Sequence, residues 1–207
     1  MTAPVPAAPA FGAPCPIQPS WETLALLSHR RSSSAQTLTA PGPSRAQLEE
    51  LLRLAARAPD HGKLNPWRFV IIEGAAKAAL VEQLLPLAAK QPGAGKAAAV
   101  LGKLAAPPMS ILVISTAKPS SKPVWEQQLS AGAVCTLMLV AAEAMGFGAN
   151  WITDWYSYDR EALALLGVAA EEQVAGFIHV GTASEAPLER VRPDVASLIT
   201  WWAAARA

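Results

Sequence analysis

The sequence predicts one domain of mixed helix and strand, and three observations lead there. The chain has 207 residues, enough to bury a full core in a single unit. Short β-branched runs alternate with stretches of helical spacing. One long segment, Trp125 to Met145, is helical in pattern yet apolar on every side in its middle. A helix hydrophobic all round must be covered all round, which predicts a central position, with a subunit interface as one way to supply the cover.

Residues 1–19 hold six prolines and no Lys or Arg. They read as a flexible or surface-bound Pro/Ala-rich arm and not as a secretory signal. The single domain is therefore set at 20–207. Ser20 caps a helix starting at Trp21, with Glu22 in its first turn. That helix runs into Arg30 and Arg31. Ser44 and Gln47 have the spacing of a capping box, and Leu48, Leu51, Leu52 and Ala55 repeat at helical spacing up to Arg57. Pro59 ends the helix. "WRFVIIE" at 67–73 predicts a buried strand.

Residues 75–89 form a helix with Leu80, Leu84 and Leu87 on one side. Residues 90–108 read as a mobile excursion around a short helical piece, bounded by Gly93, Gly95, Pro107 and Pro108. "MSILVIST" at 109–116 is the second strand, and "KPSSKP" at 118–123 is a loop. "GFGANWIT" at 146–153 stops the long helix and opens a third strand. Residues 159–166 form a small helix, "VAGFIHVGTAS" at 174–184 is a fourth strand, and "SLITWW" at 197–202 is a lone β-rich end that closes its own sheet or pairs with another chain.

Composition narrows the function classes. Net charge is +1 with no long basic run, so there is no electrostatic footprint for nucleic acid. Charged residues make up 16%, against about 25% in typical soluble domains. Either a second subunit covers much of the surface, or the chain simply has an alanine-rich bias. The longest uncharged apolar run, Leu129 to Ala142, is shorter than the ~20 residues a membrane span needs. The two cysteines, Cys15 and Cys135, make neither a disulfide framework nor a metal motif, and a cytoplasmic setting is expected.

Two segments carry the candidate chemistry. In "HRRSSS" at 29–34, Arg30, Arg31 and Ser32 supply guanidinium forks and a short hydroxyl, a donor set for phosphate. Taken alone, the same arginines could merely answer the negative end of the preceding helix. In "RAPDHGKLNPW" at 57–67, a Pro-bounded turn gathers Arg57, His61, Lys63 and Asn65, offering donors and acceptors to a heteroaromatic edge. Its alternative is a solvated helix-to-strand connection. "GFGANW" lacks the G-x-G-x-x-G order between a strand and a helix, which excludes a Rossmann dinucleotide site. His29 and His179 have no Cys or carboxylate at ligand spacing, so no metal site is expected, and no G-x-S-x-G elbow is present.

The order of "LLSHRRSS", "RAPDHGKLNPWRFVIIEG", "WEQQLSAGAVCTLMLVAAEAMGFGANWIT" and "VAGFIHVGT" resembles the FMN-dependent nitroreductase family, most closely its short bacterial branch. The resemblance runs from about Trp21 to Thr182. It implies an α+β fold of three layers, α/β/α, with a mixed, mainly antiparallel central sheet flanked by helices and a long buried helix at a homodimer interface. By resemblance, Arg30, Arg31 and Ser32 hold the phosphate, ribityl chain and pyrimidine edge of FMN. Arg57, His61 and Asn65 line the flavin from the helix-end turn, usually of the partner subunit. Trp151, Ile152 and Thr153 run along the ring.

Two departures stand out. Ile152 takes a place where close relatives have a polar or basic residue, and Arg190 and Arg192 are only loose matches to a C-terminal basic pair that grips phosphate. The implied reaction moves two electrons from NAD(P)H through the flavin to a nitroaromatic, quinone or similar small oxidant by a ping-pong scheme, so no catalytic acid–base pair is expected of the protein. The alternatives are another reaction on the same fold (enone reduction, dehalogenation, flavin breakdown) and a non-enzymatic dimer whose arginines are structural.

Overall fold

The computed structural model describes residues 4–202. A central sheet lies between two helical layers. In chain order the elements are α1 (Trp21–His29), β1 (Leu38–Thr39), α2 (Arg45–Ala55), β2 (Trp67–Glu73), α3 (Gly74–Ala88), α4 (Ala94–Ala105), β3 (Met109–Ser115), α5 (Val124–Ala144), β4 (Gly148–Ile152), α6 (Arg160–Leu165) and β5 (Gln173–Ala183). The sheet order is β1-β5-β3-β2, with β4 also paired to β5. β4 covers residues 177–181 of β5 and β1 covers 182–183, so the two short strands share one edge end to end. Every pairing among the described residues is antiparallel.

Alternation along the strands separates the two cores. Ile111, Val113, Ile178 and Val180 face α2 and α5, where they pack on Leu51, Ala55, Val134 and Met138. Leu112, Ile114 and Phe177 face the other way, onto Leu84, Leu101, Leu104 and Tyr156. All seven residues of β3 are buried, as a strand covered on both faces requires.

The predicted caps form. Ser20 Oγ accepts the Thr23 N–H, and Ser44 and Gln47 close a reciprocal box at the start of α2. Gly146 adopts φ +81° directly after α5, the left-handed stop that a residue with a Cβ rarely adopts.

Three expectations need correction. The 67–73 strand is not buried: β2 lies at the sheet edge, and only Ile72 in it is buried. Its β-branched run is covered on its faces but has no strand on its outer side. The helical piece within 90–108 is longer than expected, because 94–105 is a twelve-residue helix packed against α3. Its alanines favour helix, and Ala97, Leu101 and Leu104 repeat on one buried stripe. The "SLITWW" end forms no strand in its own chain. Val195–Leu198 make one 3-10 turn, and Trp201 and Trp202 are each 87% exposed.

The long helix also departs from its pattern. Nine residues of α5 are buried, but Trp125 and Leu129 are exposed at 67% and 53%. Thr136 is exposed, while Gly132, Ala133, Leu137 and Val140 are half-buried. These positions recur every three or four residues, so they form one apolar stripe that this chain leaves uncovered.

Candidate functional site

The arginine segment is fixed by the strand beside it. Ser33 N–H donates to Ala149 O at 2.9 Å, and Asn150 Nδ2 donates to Ser33 O at 2.6 Å. These bonds strap residues 30–33 onto the free edge of β4. The approach is close enough that a Cβ at Gly148 would lie 2.7–2.9 Å from Leu38, Ser33 and Ala183. Only glycine fits there. Arg30 reaches Ser32 Oγ at 3.4 Å, so guanidinium and hydroxyl converge.

The C-terminal segment completes the cluster. Arg31 Nε donates to Leu188 O at 2.8 Å. Arg192 donates to Arg30 O at 3.3 Å and to Glu189 Oε1 at 3.1 Å. Glu189 also stands 3.8 Å from Arg31 Nε. Arg30, Arg31 and Arg192 therefore meet in space, most of their donors unused. Glu143, at the end of α5, lies against them. Burial raises its carboxyl above the usual range, while the charge of Arg30 and the Arg31 N–H pull the other way.

From this cluster β4 leads to a groove. Ala149 O points outward to Ser33, so strand alternation puts the backbone N–H of Trp151 on the same free edge, and Thr153 follows just past the end of β4. From Ala149 to Thr153 is about 13 Å of strand. Beyond lies a groove of about 580 Å³ whose wall includes Thr153, Trp155, Tyr158, Gln91, Lys96 and Lys103. Thr153 Oγ1 accepts from Tyr158 Oη at 3.0 Å. Lys103 stands 3.7 Å from Asp154, and Lys96 has no ion pair among the described residues.

Trp151 does not offer its ring to this edge. Its indole N–H donates to Ala175 O at 3.1 Å, folded back over Gly176, where a Cβ would sit 2.0 Å away. Ile152 is half-buried and pairs in register with Phe177.

The second segment lies elsewhere. Arg57, His61, Lys63 and Asn65 are all exposed on the turn between α2 and β2. The turn is stiff. Asp60 Oδ2 accepts the Asn65 N–H at 2.7 Å, and Lys63 and Asn65 hold φ of 55° and 47°. The stem of Lys122 lies against Gly62. His61 Nδ1 meets Glu126 Oε2 at 2.6 Å, which ties the turn to the first turn of α5.

The arginine cluster thus adjoins Glu143 at one end of α5, and the His61 turn adjoins Glu126 at the other. The two glutamates are seventeen helical steps apart, about 25 Å. A single chain brings Arg30, Arg31, Ser32, Trp151, Ile152 and Thr153 together but holds Arg57, His61 and Asn65 away from them. The helix wall of the groove, Lys96 and Lys103, escapes the sequence reading, which gives 90–108 only a short helical piece. Reading 94–105 as helix would have aligned the Ala97, Leu101 and Leu104 stripe and turned its lysines outward.

Comparison with known proteins fits this architecture. The model of the nitroreductase family matches residues 27–182. A curated relative from Escherichia coli K12, named "Putative NAD(P)H nitroreductase YdjA", is 34% identical over 165 residues, covering 78% of this chain and 88% of that one. A relative from Haemophilus influenzae, with the same name but no gene label, is 34% identical and covers 79% and 90%. Among solved structures, a nitroreductase-like family protein from Bacillus cereus superimposes with TM-score 0.78 at 21% identity, covering 90% of this chain and 99% of that one. A nitroreductase with bound FMN from Bacteroides fragilis gives 0.68 at 22%, covering 89% and 100%. With the family model spanning most of the chain and curated relatives a third identical over nearly their whole length, this protein belongs to the nitroreductase family.

Proposed function

We propose that the protein is an FMN-dependent oxidoreductase that takes electrons from NAD(P)H and passes them to a nitroaromatic, a quinone or a similar small oxidant. One observation carries the reading. Arg30, Arg31, Arg192 and Ser32 converge on a strand edge that runs on to an open groove, giving a phosphate end and a ring end on one line. The donor set fits FMN: guanidinium forks suit the phosphate, and the outward N–H of Trp151 suits a flat polar ring. When bound, FMN supplies two-electron transfer at its N5.

The remaining tasks fall to the chain. The arginines grip the anion. Gly148 and Gly176 let the arginine segment and the Trp151 indole lie flush, so that the strand edge keeps its aim. Lys96, which has no ion pair among the described residues, places positive charge along the groove and favours negative charge developing on a reduced ring, while Asp154 on the same wall offsets Lys103. Glu189 orients Arg31 and Arg192.

The second wall comes from another copy. Glu126 and Glu143 stand eight and nine residues either side of Val134, so a two-fold axis near the middle of α5 would set each end against its opposite. The uncovered stripe is small in its middle, Gly132, Ala133 and Thr136, which permits close approach. Arg57, His61 and Asn65 of one copy then face the arginine cluster of the other, and the exposed 195–202 end lies free to pack on the partner. Cys15 and Cys135 stand unpaired, which fits work in a reducing cytoplasm. Among the described residues, no helix is long and apolar enough to cross a membrane.

The test is direct. Purified protein should be yellow and release FMN on denaturation; release of FAD, or of nothing, overturns the reading. Steady-state kinetics with NAD(P)H and a nitroarene should give parallel double-reciprocal lines, since both reactants take one open face in turn. Intersecting lines would contradict that scheme.

A further inference from the structure

We propose that the cavity between the start of α3 and the end of α4 is a second binding site, which takes a small organic acid with its carboxylate on Lys77 and its apolar body against the walls. The cavity has a volume of about 450 Å³ and shares no residue with the groove at Thr153. Gly74, Lys77 and Val81 belong to its α3 wall, and Ala105, Pro107 and Pro108 close the other side. The site stands apart from the flavin reading and does not depend on it.

Lys77 is a buried cation without a counter-ion. It is 4% exposed, and a lysine buried so far normally has a carboxylate partner. Among the described residues its Nζ donates to Pro107 O alone, which leaves two donors unused. Both partners of that bond line the cavity, so the amine sits in its wall. Burial by itself lowers the amine to about 8, with no carboxylate pulling the other way. The charges around it do not compensate it. Glu73 and Glu82 on its own helix are exposed, Glu82 at the cavity, and neither pairs with it. On α4, Lys103 stands by Asp154, and on α6, Glu161 is held by Lys90. His179 on β5 is fully buried, bonded through Nδ1 to Ser110 Oγ at 2.8 Å, and kept neutral by burial and by the Lys77 charge itself.

The backbone adds to the same field. α3 starts at Gly74 with no side-chain cap and no acidic residue in its first turn, so its first N–H groups have no partner within the helix and the positive end of its dipole lies at the cavity. A Cβ at Gly74 would meet nothing within 4 Å, so the space beside these groups is open. The rest of the lining selects the ligand. Alanine, valine and proline walls offer nothing to the outer oxygens of a phosphate, whereas an apolar body releases water from them. One cation among apolar walls therefore matches one carboxylate on a compact hydrocarbon.

Calorimetric titration of the protein as purified, with benzoate as the probe, tests the site. Lys77→Met should weaken benzoate about tenfold or more, the loss of one charge-assisted bond. Ala78→Phe keeps the amine but fills the cavity from an exposed position, and it should weaken benzoate by a similar factor; it carries the test alone should Lys77→Met fold poorly. Benzyl alcohol, the ring without the charge, and inorganic phosphate, the charge without the ring, should each bind about tenfold more weakly than benzoate. Wild-type affinity should fall as pH rises past about 8, where the free amine loses its proton, and Lys77→Met should lack that dependence. Carbon-13 NMR of lysine-labelled protein gives a second readout: the Lys77 Cε signal should titrate at higher pH with benzoate than without. Benzoate that binds the wild type and both variants alike, as binding at the flavin would give, or that does not bind at all, overturns the site. Phosphate binding more tightly than benzoate overturns the choice of an organic acid.

Discussion

The two halves of the site are built in opposite ways. The arginine cluster is finished within one chain: strapped to β4 by two backbone-directed bonds, braced by Glu189, and continued by a groove. The His61 turn is equally stiff, held by Asp60, Lys122 and Glu126, yet Arg57, His61, Lys63 and Asn65 are all exposed. In the proposed dimer this turn is the surface that meets the second copy. The uncovered stripe on α5 lies between the two halves. The difference teaches that one chain holds its arginine cluster and its His61 turn at opposite ends of α5, the arrangement that the proposed two-copy site requires.

The largest effect should follow from denying the lining half its destination. Thr136→Arg places a charge in the middle of the uncovered stripe. It should give monomers by sedimentation and lose bound flavin almost entirely, with the fold retained by circular dichroism. Monomers that keep flavin would mean that the arginine half suffices alone.

The binding half is tested at Arg30. Arg30→Ala removes charge-assisted bonds worth roughly 1.5–3 kcal/mol, about ten- to a hundredfold in FMN affinity. Arg30→Lys should recover only part, since an ammonium lacks the planar fork. Fluorescence titration of apoprotein with FMN reads both. Equal dissociation constants for the wild type and Arg30→Ala would reduce the arginine to an answer to its helix end.

Gly176→Ala probes the seat of the Trp151 indole on β5. Its new methyl would meet the Trp151 indole at 2.0 Å, so β4 or the ring must move. A loss of about 1–3 kcal/mol in denaturant unfolding is expected, with weaker flavin binding as the edge shifts. A variant as stable as the wild type would mean the indole moves freely.

Within the sheet, acid should act through one buried imidazole. Burial lowers the His179 imidazole to about 3, with the charge of Lys77 adding to the effect. Between about pH 6.5 and 3 the unfolded chain then binds a proton that the folded chain refuses. This group's contribution is present above that window and falls as pH drops through it, by up to about 1.4 kcal/mol per unit. His179→Gln should flatten that part of the stability profile. The smallest effect belongs to Lys63→Ala, an exposed lysine on the turn with no assigned partner, which should change flavin affinity little.

Much of this was legible in the sequence, for identifiable reasons. Caps at Ser20 and Ser44 and the β-branched runs state their structure locally, and they appear as read. The order of motifs gave the family, and the structure brings Arg30, Arg31 and Ser32 onto the strand that bears Trp151 and Ile152. What could not be read depends on contacts distant in the chain. β2 looks like a buried strand because periodicity does not reveal which strand stands at an edge. The glycines at 93 and 95 hid a helix whose apolar stripe matters only against α3. Arg192 reaches Arg30 across 162 residues, and no local signal separates it from Arg190. The Glu126 partner of His61, 65 residues on, is invisible for the same reason.

The central claim is that each flavin site takes its arginine cluster from one copy and its turn from the other. Mixed dimers test it most directly. One copy carries Arg30→Ala, and the other carries Arg57→Glu with His61→Glu, which sets two negative charges against the ring's place. Differently tagged copies are co-expressed, and mixed dimers are isolated through both tags. If the halves come from different copies, one site gathers every defect and the other is wholly intact, so the mixed dimer should bind one FMN while each parent homodimer binds almost none. A mixed dimer that binds no more than its parents would show that each site is built within one chain.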